Sequence, residues 1–138
     1  MNKSCPVVLR IKRNRLELLA FKRPTAGRQL VKGNLKKGES LENACVRELE
    51  EECGIRARAV KRLGVWEANQ KKQTWDLRLM HFEGSLTARW SYDTRDDGGQ
   101  RFRFFWQPLD HHIDEGWDDV YANAFEHIKR AFLPSIVE

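Results

Sequence analysis

Residues 33–55 of this 138-residue chain read GNLKKGESLENACVRELEEECGI, and they place carboxylates where a helix should be apolar. On a helical wheel of residues 41–53, Glu48 and Glu52 fall within the apolar stripe, and Glu51 lies at its edge. Acids at these spacings project from one face and repel one another unless a cation joins them. The pattern therefore predicts a helix that presents a carboxylate cluster to a divalent metal ion.

Nine positions of this stretch stand at a specific spacing: Gly33, Glu39, Arg47, Glu48, Leu49, Glu51, Glu52, Gly54 and Ile55. The pattern resembles the complete Nudix box, the signature of the Nudix hydrolases. The resemblance implies a single Nudix domain over residues 1–138, with an α/β fold in which a mixed β-sheet lies between helices as an α/β/α sandwich. It also implies hydrolysis of a phosphoanhydride bond in a nucleoside diphosphate linked to another moiety X.

The resemblance gives the box residues their catalytic roles. Glu51 and Glu52 match the family's main metal ligands, and Glu48 matches a glutamate that binds metal or deprotonates water. Arg47 would form an ion pair that orients these glutamates, and the backbone carbonyl of Gly33 would join the metal shell. The implied ion is Mg²⁺, with Mn²⁺ as the alternative, because oxygen ligands suit both.

Two further positions bear on the site and on the substrate. Glu39 lies where the loop meets the helix and matches a supporting position of the box. Lys32 stands where many family members have glycine, which resembles members that act on dinucleoside polyphosphates, diphosphorylated inositols or capped RNA. The proline usual before that lysine is replaced by Val31, and a solvated surface lysine is the plain alternative. The first candidate substrate is a dinucleoside polyphosphate or related nucleotide, followed by nucleoside triphosphates and ADP-ribose.

Residues 84–100 form a polar segment that we expect to lie over the site and to add contacts outside the box. Asp96 or Asp97 would add a metal ligand, although an Asp-Asp-Gly-Gly turn explains both residues equally well. Trp90 is a better candidate for stacking a base than the tryptophans that alternate with core residues. Lys36, like Lys32, would contact substrate phosphates, although scattered lysines are normally solvated.

Hydrophobic periodicity predicts the elements around the box helix. The predicted strands cover residues 7–12, 16–22, 29–32, 56–68, 74–82 and 102–106, and the first two form a hairpin. Ser40 is a natural N-cap for the box helix, and Gly54 is suited to end it. A final amphipathic helix is predicted from about Asp114 to Phe132, with one face in the core.

Bulk composition limits the class of protein. The 16.2-kDa chain is 41% hydrophobic and holds five Trp and seven Phe, which suffices for one domain with a substantial core. It contains no apolar run that would span a membrane and begins with no secretory signal. Three cysteines without metal-ligand spacing predict reduced thiols and a cytoplasmic location. The net charge of +5 suits an anionic substrate, although charge alone does not decide the function.

Two competing functions stay open. A Nudix fold that has lost catalysis would act as a non-catalytic nucleotide-binding sensor, binding its ligand with Mg²⁺ and releasing no phosphate. The pI near 9.3 and the tryptophan count also suggest a nucleic-acid-binding module, but the sequence lacks a recognised signature of one. The expected partner is a small-molecule nucleotide or polyphosphate, with RNA only as a 5′-capped or polyphosphorylated end. No membrane partner is expected, and family dimers make a homodimer an option.

Overall fold

The computed structural model describes residues 2–94 and 99–133. Within them the strands are β1 (Asn2–Lys12), β2 (Arg15–Lys22), β3 (Arg28–Gln29), β4 (Gly33–Asn34), β5 (Ala57–Ala68), β6 (Gln73–Phe82), β7 (Trp90–Asp93) and β8 (Arg101–Pro108). The helices are α1 (Leu41–Cys53) and α2 (Asp119–Phe132), and a 3₁₀ turn (Asn69–Lys71) joins β5 to β6. Neither of these α-helices is long and apolar enough to cross a lipid bilayer.

All eight strands belong to one sheet, ordered β5-β6-β1-β2-β8-β7, with β3 paired to β2 and β4 paired to β1. The first part of β1, Asn2–Val8, runs parallel to β6. Its last part, Leu9–Lys12, pairs antiparallel with β2. The other strand pairs are antiparallel, so the sheet is mixed, as the sequence predicted.

The sheet lies between the two helices because neighbouring strand residues point to opposite faces. On β1, Val7 packs with the buried residues of α2, whereas Val8 packs with those of α1. On β2, Leu18 packs with the buried residues of α2, and Leu19 packs with those of α1. The α/β/α sandwich is therefore confirmed, and each helix buries its apolar stripe on its own side of the sheet.

The box helix begins and ends where its capping residues predict. The Ser40 side chain accepts a hydrogen bond from the Asn43 backbone N–H at 3.1 Å, which satisfies one free donor of the first turn. Gly54 adopts a left-handed φ of 73° and donates its N–H to the Glu50 carbonyl. Glycine takes this conformation at no steric cost, so the chain turns sharply towards β5.

The final helix begins later than predicted. We expected it from Asp114, but α2 starts at Asp119. The Asp114 carboxylate accepts hydrogen bonds from the Gly116 N–H at 2.8 Å and from Arg28 at 2.9 Å, which holds this stretch as a turn against β3. Trp117 precedes the helix and is nevertheless buried, with 4% of its surface exposed.

The described part of the polar segment 84–100 contains strand β7, which the sequence analysis did not predict. This strand pairs antiparallel with β8, and the Trp90 ring stacks on Phe104 at a centroid distance of 5.2 Å. The Trp90 indole N–H also donates to the Cys53 carbonyl at 3.3 Å, which ties β7 to the end of α1. A four-residue strand is too short to show clear alternation in the sequence.

Two glycine substitutions test how tightly the end of α1 is packed. Gly38→Ala and Gly54→Ala both force a side chain into a left-handed φ, of 77° and 73°. A Cβ at Gly54 would also lie 2.6 Å from the Tyr92 ring, whereas a Cβ at Gly38 meets no described atom within 4 Å. We expect Gly38→Ala to lower the free energy of unfolding by about 1 kcal/mol, and Gly54→Ala by at least about 1 kcal/mol more. Urea unfolding measures both, and equal losses would contradict the packing role of Tyr92.

Candidate active site

The guanidinium of Arg47 organises the acidic side chains of the box. Its Nε and Nη2 atoms donate to the two carboxylate oxygens of Glu39 at 2.8 and 2.9 Å. Its Nη1 atom donates to Glu48 and to Glu51, both at 2.9 Å. Nη2 also donates to the Asn34 carbonyl of β4 at 2.8 Å. One side chain of α1 thus links the helix to the preceding loop and gathers two of the predicted metal ligands.

Glu39 holds Arg47 in this position. Its carboxylate also accepts a hydrogen bond from the Lys36 backbone N–H at 3.0 Å, so it closes the loop in front of α1. The hydrogen bonds from Arg47, together with that from Lys36, lower the pKa of Glu39 to about 2. In turn, the hydrogen bonds from Arg47 to Glu39 raise the pKa of the guanidinium. The pair therefore stays charged over the whole neutral and mildly acidic range.

Glu48 lies directly against the backbone of Gly33. Its side chain is buried, with 7% of its surface exposed. A Cβ built on Gly33 would stand only 2.0 Å from a Glu48 carboxylate oxygen, so only glycine permits this approach. The hydroxyl of Ser4 on β1 donates to the Gly33 carbonyl at a long 3.4 Å. The strand therefore brings a backbone carbonyl and a buried carboxylate together beside α1.

Glu51 and Glu52 occupy different environments. The Glu51 side chain is 40% exposed, and its second oxygen lies 4.0 Å from the Lys36 ammonium group. Glu52 is partly buried, and its negative charge acts on Lys32 and on Tyr121. Burial lowers the pKa of Lys32, and the charge of Glu52 opposes that shift. Glu52 is thus within electrostatic reach of Lys32 and Tyr121, whereas Glu51 is largely open to solvent.

The donor atoms of this site are chemically suited to a hard divalent ion, since they are carboxylate oxygens and one backbone carbonyl. The close approach that Gly33 allows to Glu48 supports that fit. Among the described residues, however, no three acidic, histidine or cysteine side chains converge closely enough to hold a metal ion. Arg47 draws Glu48 and Glu51 to itself in this conformation, so the ligand set stays a prediction.

A cavity of about 440 Å³ opens beside Lys32, between β3 and the start of α2. The Lys32 ammonium group lies 5.0 Å from the centre of the Trp75 ring and 5.5 Å from that of Tyr121. It also contacts Gln73 at 3.4 Å. These contacts hold the lysine between the box and the cavity, where a cation would meet an anionic substrate.

The cavity contains acceptor groups that the sequence patterns did not single out. Asp118 accepts hydrogen bonds from the Gly27 N–H at 3.1 Å and from the Gln29 side chain. Asp119 is exposed at the first position of α2, and Tyr121, two residues further on, is buried. Because the helix was predicted from Asp114, Asp118 and Asp119 fell inside it as ordinary polar positions, and nothing in the sequence marked them as site residues.

The remaining predicted site residues lie at varied places. Lys36 reaches Glu51, as described above, and Trp90 is engaged in packing between β7, β8 and α1. Its role in stacking a base stays a prediction. Asp96 and Asp97 lie outside the described residues.

Comparison with known protein families agrees with this geometry. A family model described as the NUDIX domain matches residues 2–127, which is most of the chain. No curated protein matches the sequence.

Solved structures share the fold at low sequence identity. An ADP-ribose pyrophosphatase from Streptococcus suis 89-1591 is 13% identical, with a TM-score of 0.66 over 99% of this chain and 95% of that one. A UDP-X diphosphatase is 11% identical, with a TM-score of 0.69 over 96% of this chain and 62% of its own. The NUDIX domain of Shewanella oneidensis NrtR, complexed with ADP ribose, is 12% identical, with a TM-score of 0.60 over 96% and 88% of the two chains.

The contact between Glu39 and Arg47 predicts a pH-dependent contribution to stability. Because folding lowers the pKa of Glu39 from 4.5 to about 2, the contribution is complete above pH 4.5 and is lost as the pH falls towards 2. Glu39→Gln should therefore be less stable than the parent at pH 7, and the difference should shrink between pH 4.5 and 2. Urea unfolding across this range measures it. Glu50→Gln, an exposed acid of the same helix, is the control, and a pH-independent difference would contradict the assignment.

Proposed function

The chain belongs to the Nudix family of nucleotide pyrophosphohydrolases, and from that premise we propose that it is a Mg²⁺-dependent hydrolase of a nucleoside diphosphate linked to another moiety X. Members of the family generally work with a divalent metal ion. Mn²⁺ is the alternative ion here. The observation that carries the proposal is the Arg47 network, which holds Glu48 and Glu51 on one guanidinium while Glu48 lies against Gly33.

Different residues of this chain would bind the metal ion and hold its ligands in position. Glu48, Glu51 and Glu52, with the Gly33 carbonyl, would hold the divalent ion through oxygen atoms. When bound, such an ion neutralises phosphate charge and lowers the pKa of the attacking water. Arg47 would keep the glutamates in place, because its planar fork binds several carboxylates at once.

The reaction itself is a displacement at phosphorus. Water attacks one phosphorus of the anhydride in line, the bond from that phosphorus to the bridging oxygen breaks, and a phosphate-containing group leaves. Lys32 lies beside Gly33 and is held by Trp75 and Tyr121, so it is placed to neutralise a phosphate near the glutamates. A lysine held in this way would help to orient the substrate.

The cavity beside Lys32 would take the nucleoside portion of the substrate. Its volume of about 440 Å³ falls in the range of small-molecule pockets. Asp119 and the Asp118–Gln29 pair offer acceptors and a donor for the edge of a base. A dinucleoside polyphosphate is our first candidate, because Lys32 takes the place of a glycine. Nucleoside triphosphates and ADP-ribose follow, and two of the structural neighbours are described with ADP-ribose in their names.

Substitution of the two helix glutamates tests the metal assignment. We expect Glu51→Gln and Glu52→Gln each to lower turnover by at least about 100-fold, because each loses a charged oxygen ligand. Initial rates of phosphate-product release at saturating Mg²⁺ measure the loss. Glu50→Gln changes the exposed acid that directly precedes them on α1 and should keep parental turnover. Full turnover in either of the first two variants would overturn the assignment.

Gly33→Ala tests the close approach between β4 and Glu48. The added methyl group would displace the Glu48 carboxylate, which stands 2.0 Å from its position. We expect turnover to fall at least about tenfold and the Mg²⁺ concentration that gives half-maximal rate to rise. The free energy of unfolding should change little. Gly38→Ala is the matched control, since its Cβ meets no described atom within 4 Å. Unchanged kinetics in Gly33→Ala would show that the reaction does not need the close contact between Gly33 and Glu48.

The substrate class is decided by a nucleotide panel. The purified protein and Mg²⁺ are incubated with dinucleoside polyphosphates, nucleoside triphosphates, ADP-ribose and a UDP-sugar, and the products are identified by mass. Water labelled with ¹⁸O locates the phosphorus that is attacked. Binding of a panel member with Mg²⁺ but without any product would favour the alternative, a non-catalytic nucleotide sensor.

A further inference from the structure

The face of the sheet opposite α1 carries a row of positive side chains in register. Lys22 on β2 is the cross-strand partner of Arg28 on β3 and of Arg103 on β8. Ser91 on β7 continues the row as the partner of Arg103. We call Arg28, Lys22 and Arg103 the cationic row. Like charges directly opposite each other destabilise a sheet, so this arrangement costs the fold free energy.

The cationic row has few counterions within the part of the chain that the structure describes. Arg28 is paired with Asp114 at 2.9 Å. Neither Lys22 nor Arg103 makes a side-chain hydrogen bond or ion pair within residues 2–94 and 99–133. Because the positive side chains of the row repel one another and are only partly neutralised, they attract anions from solution.

A cavity of about 750 Å³ lies over the cationic row. Its floor continues along β8 from Arg103 to Phe105, which lies on the same face because it is two residues further on. The loop from His111 to Trp117 forms the opposite wall, and Arg89 adds a further cation at the side. The cavity thus combines at least three cationic groups with a partly exposed aromatic ring, and its volume suits a nucleotide-sized ligand.

We propose that this cavity is a second ligand site, which binds a nucleoside diphosphate with its phosphates on Lys22 and Arg103 and its base against Phe105. Guanidinium and ammonium groups are the side chains that bind phosphate oxygens most strongly, and aromatic rings stack on bases. The site is separate from the glutamates, because α1 packs on the other face of the sheet. The proposal does not depend on the hydrolase activity.

The test locates binding of ADP by NMR without metal. Amide ¹H–¹⁵N spectra of the parent protein are recorded during titration with ADP in the presence of EDTA, which suppresses metal-dependent binding at the box. We expect saturable shifts at Ser91, Phe105 and Ile113, and a weaker apparent affinity as NaCl is raised. Shifts confined to the surroundings of Lys32 and Tyr121, or no saturable shifts, would overturn the second site.

A pair of double variants tests the cations. Lys22→Gln with Arg103→Gln should weaken ADP binding at this site by at least tenfold, since two charged phosphate partners are lost. Arg58→Gln with Lys61→Gln removes the same charge from exposed positions of β5 and should leave the affinity within twofold. Equal weakening by both pairs would show only a general charge effect and would overturn the site. The first pair should also be at least as stable to urea as the parent, because repulsion in the row is relieved.

Two further ligands test the nature of the occupant. Phe105→Leu should weaken the binding of ADP and leave the binding of inorganic diphosphate unchanged, because only ADP has a base to stack. Equal effects on the binding of both ligands would overturn the proposed stacking of the base on Phe105. A ten-nucleotide single-stranded RNA that bound more than tenfold tighter than ADP would replace the nucleotide with a nucleic acid and overturn the proposed ligand.

Discussion

The candidate active site depends on the five hydrogen bonds of a single guanidinium, that of Arg47. They join Glu39 at the loop, Asn34 on β4, and Glu48 and Glu51 on α1. Like-charged carboxylates at one helix face would otherwise repel one another. A lysine would supply the charge without the planar fork, and could not serve several acceptors in fixed directions. The box arginine is therefore as much a part of the site's geometry as the glutamates.

The sheet separates two opposite electrostatic environments. On the α1 side, buried Glu48 lies beside Gly33, and Arg47 links it to Glu39 and Glu51. On the other side, Lys22 and Arg103 stand in register, and neither has a side-chain ion pair within the described residues. Alternation along a strand makes this separation possible, since one residue step moves a side chain from one face to the other. The overall charge of +5 hides this division.

Local signals made α1 predictable, whereas long-range contacts decided the features that were missed. The Ser40 cap and the Gly54 end act within a few residues, so the sequence shows them directly. The start of α2 moved to Asp119 because Arg28, far away in the chain, binds Asp114. The pairing of Lys22 with Arg103 depends on strand order, and no spacing within one strand reveals it. The cavity beside Lys32 likewise needs three separate segments to meet.

The two pairing modes of β1 have a consequence for how the chain reaches this fold. The antiparallel partner β2 follows within a few residues, so that hairpin can close early during synthesis. The parallel partner β6 lies about 70 residues downstream, and residues Asn2–Val8 stay without their neighbour until it has been made. Loop-closure entropy makes such distant pairing slow. Until β6 arrives, the growing polypeptide carries an open apolar strand edge, which is a natural point for chaperone capture or misassembly.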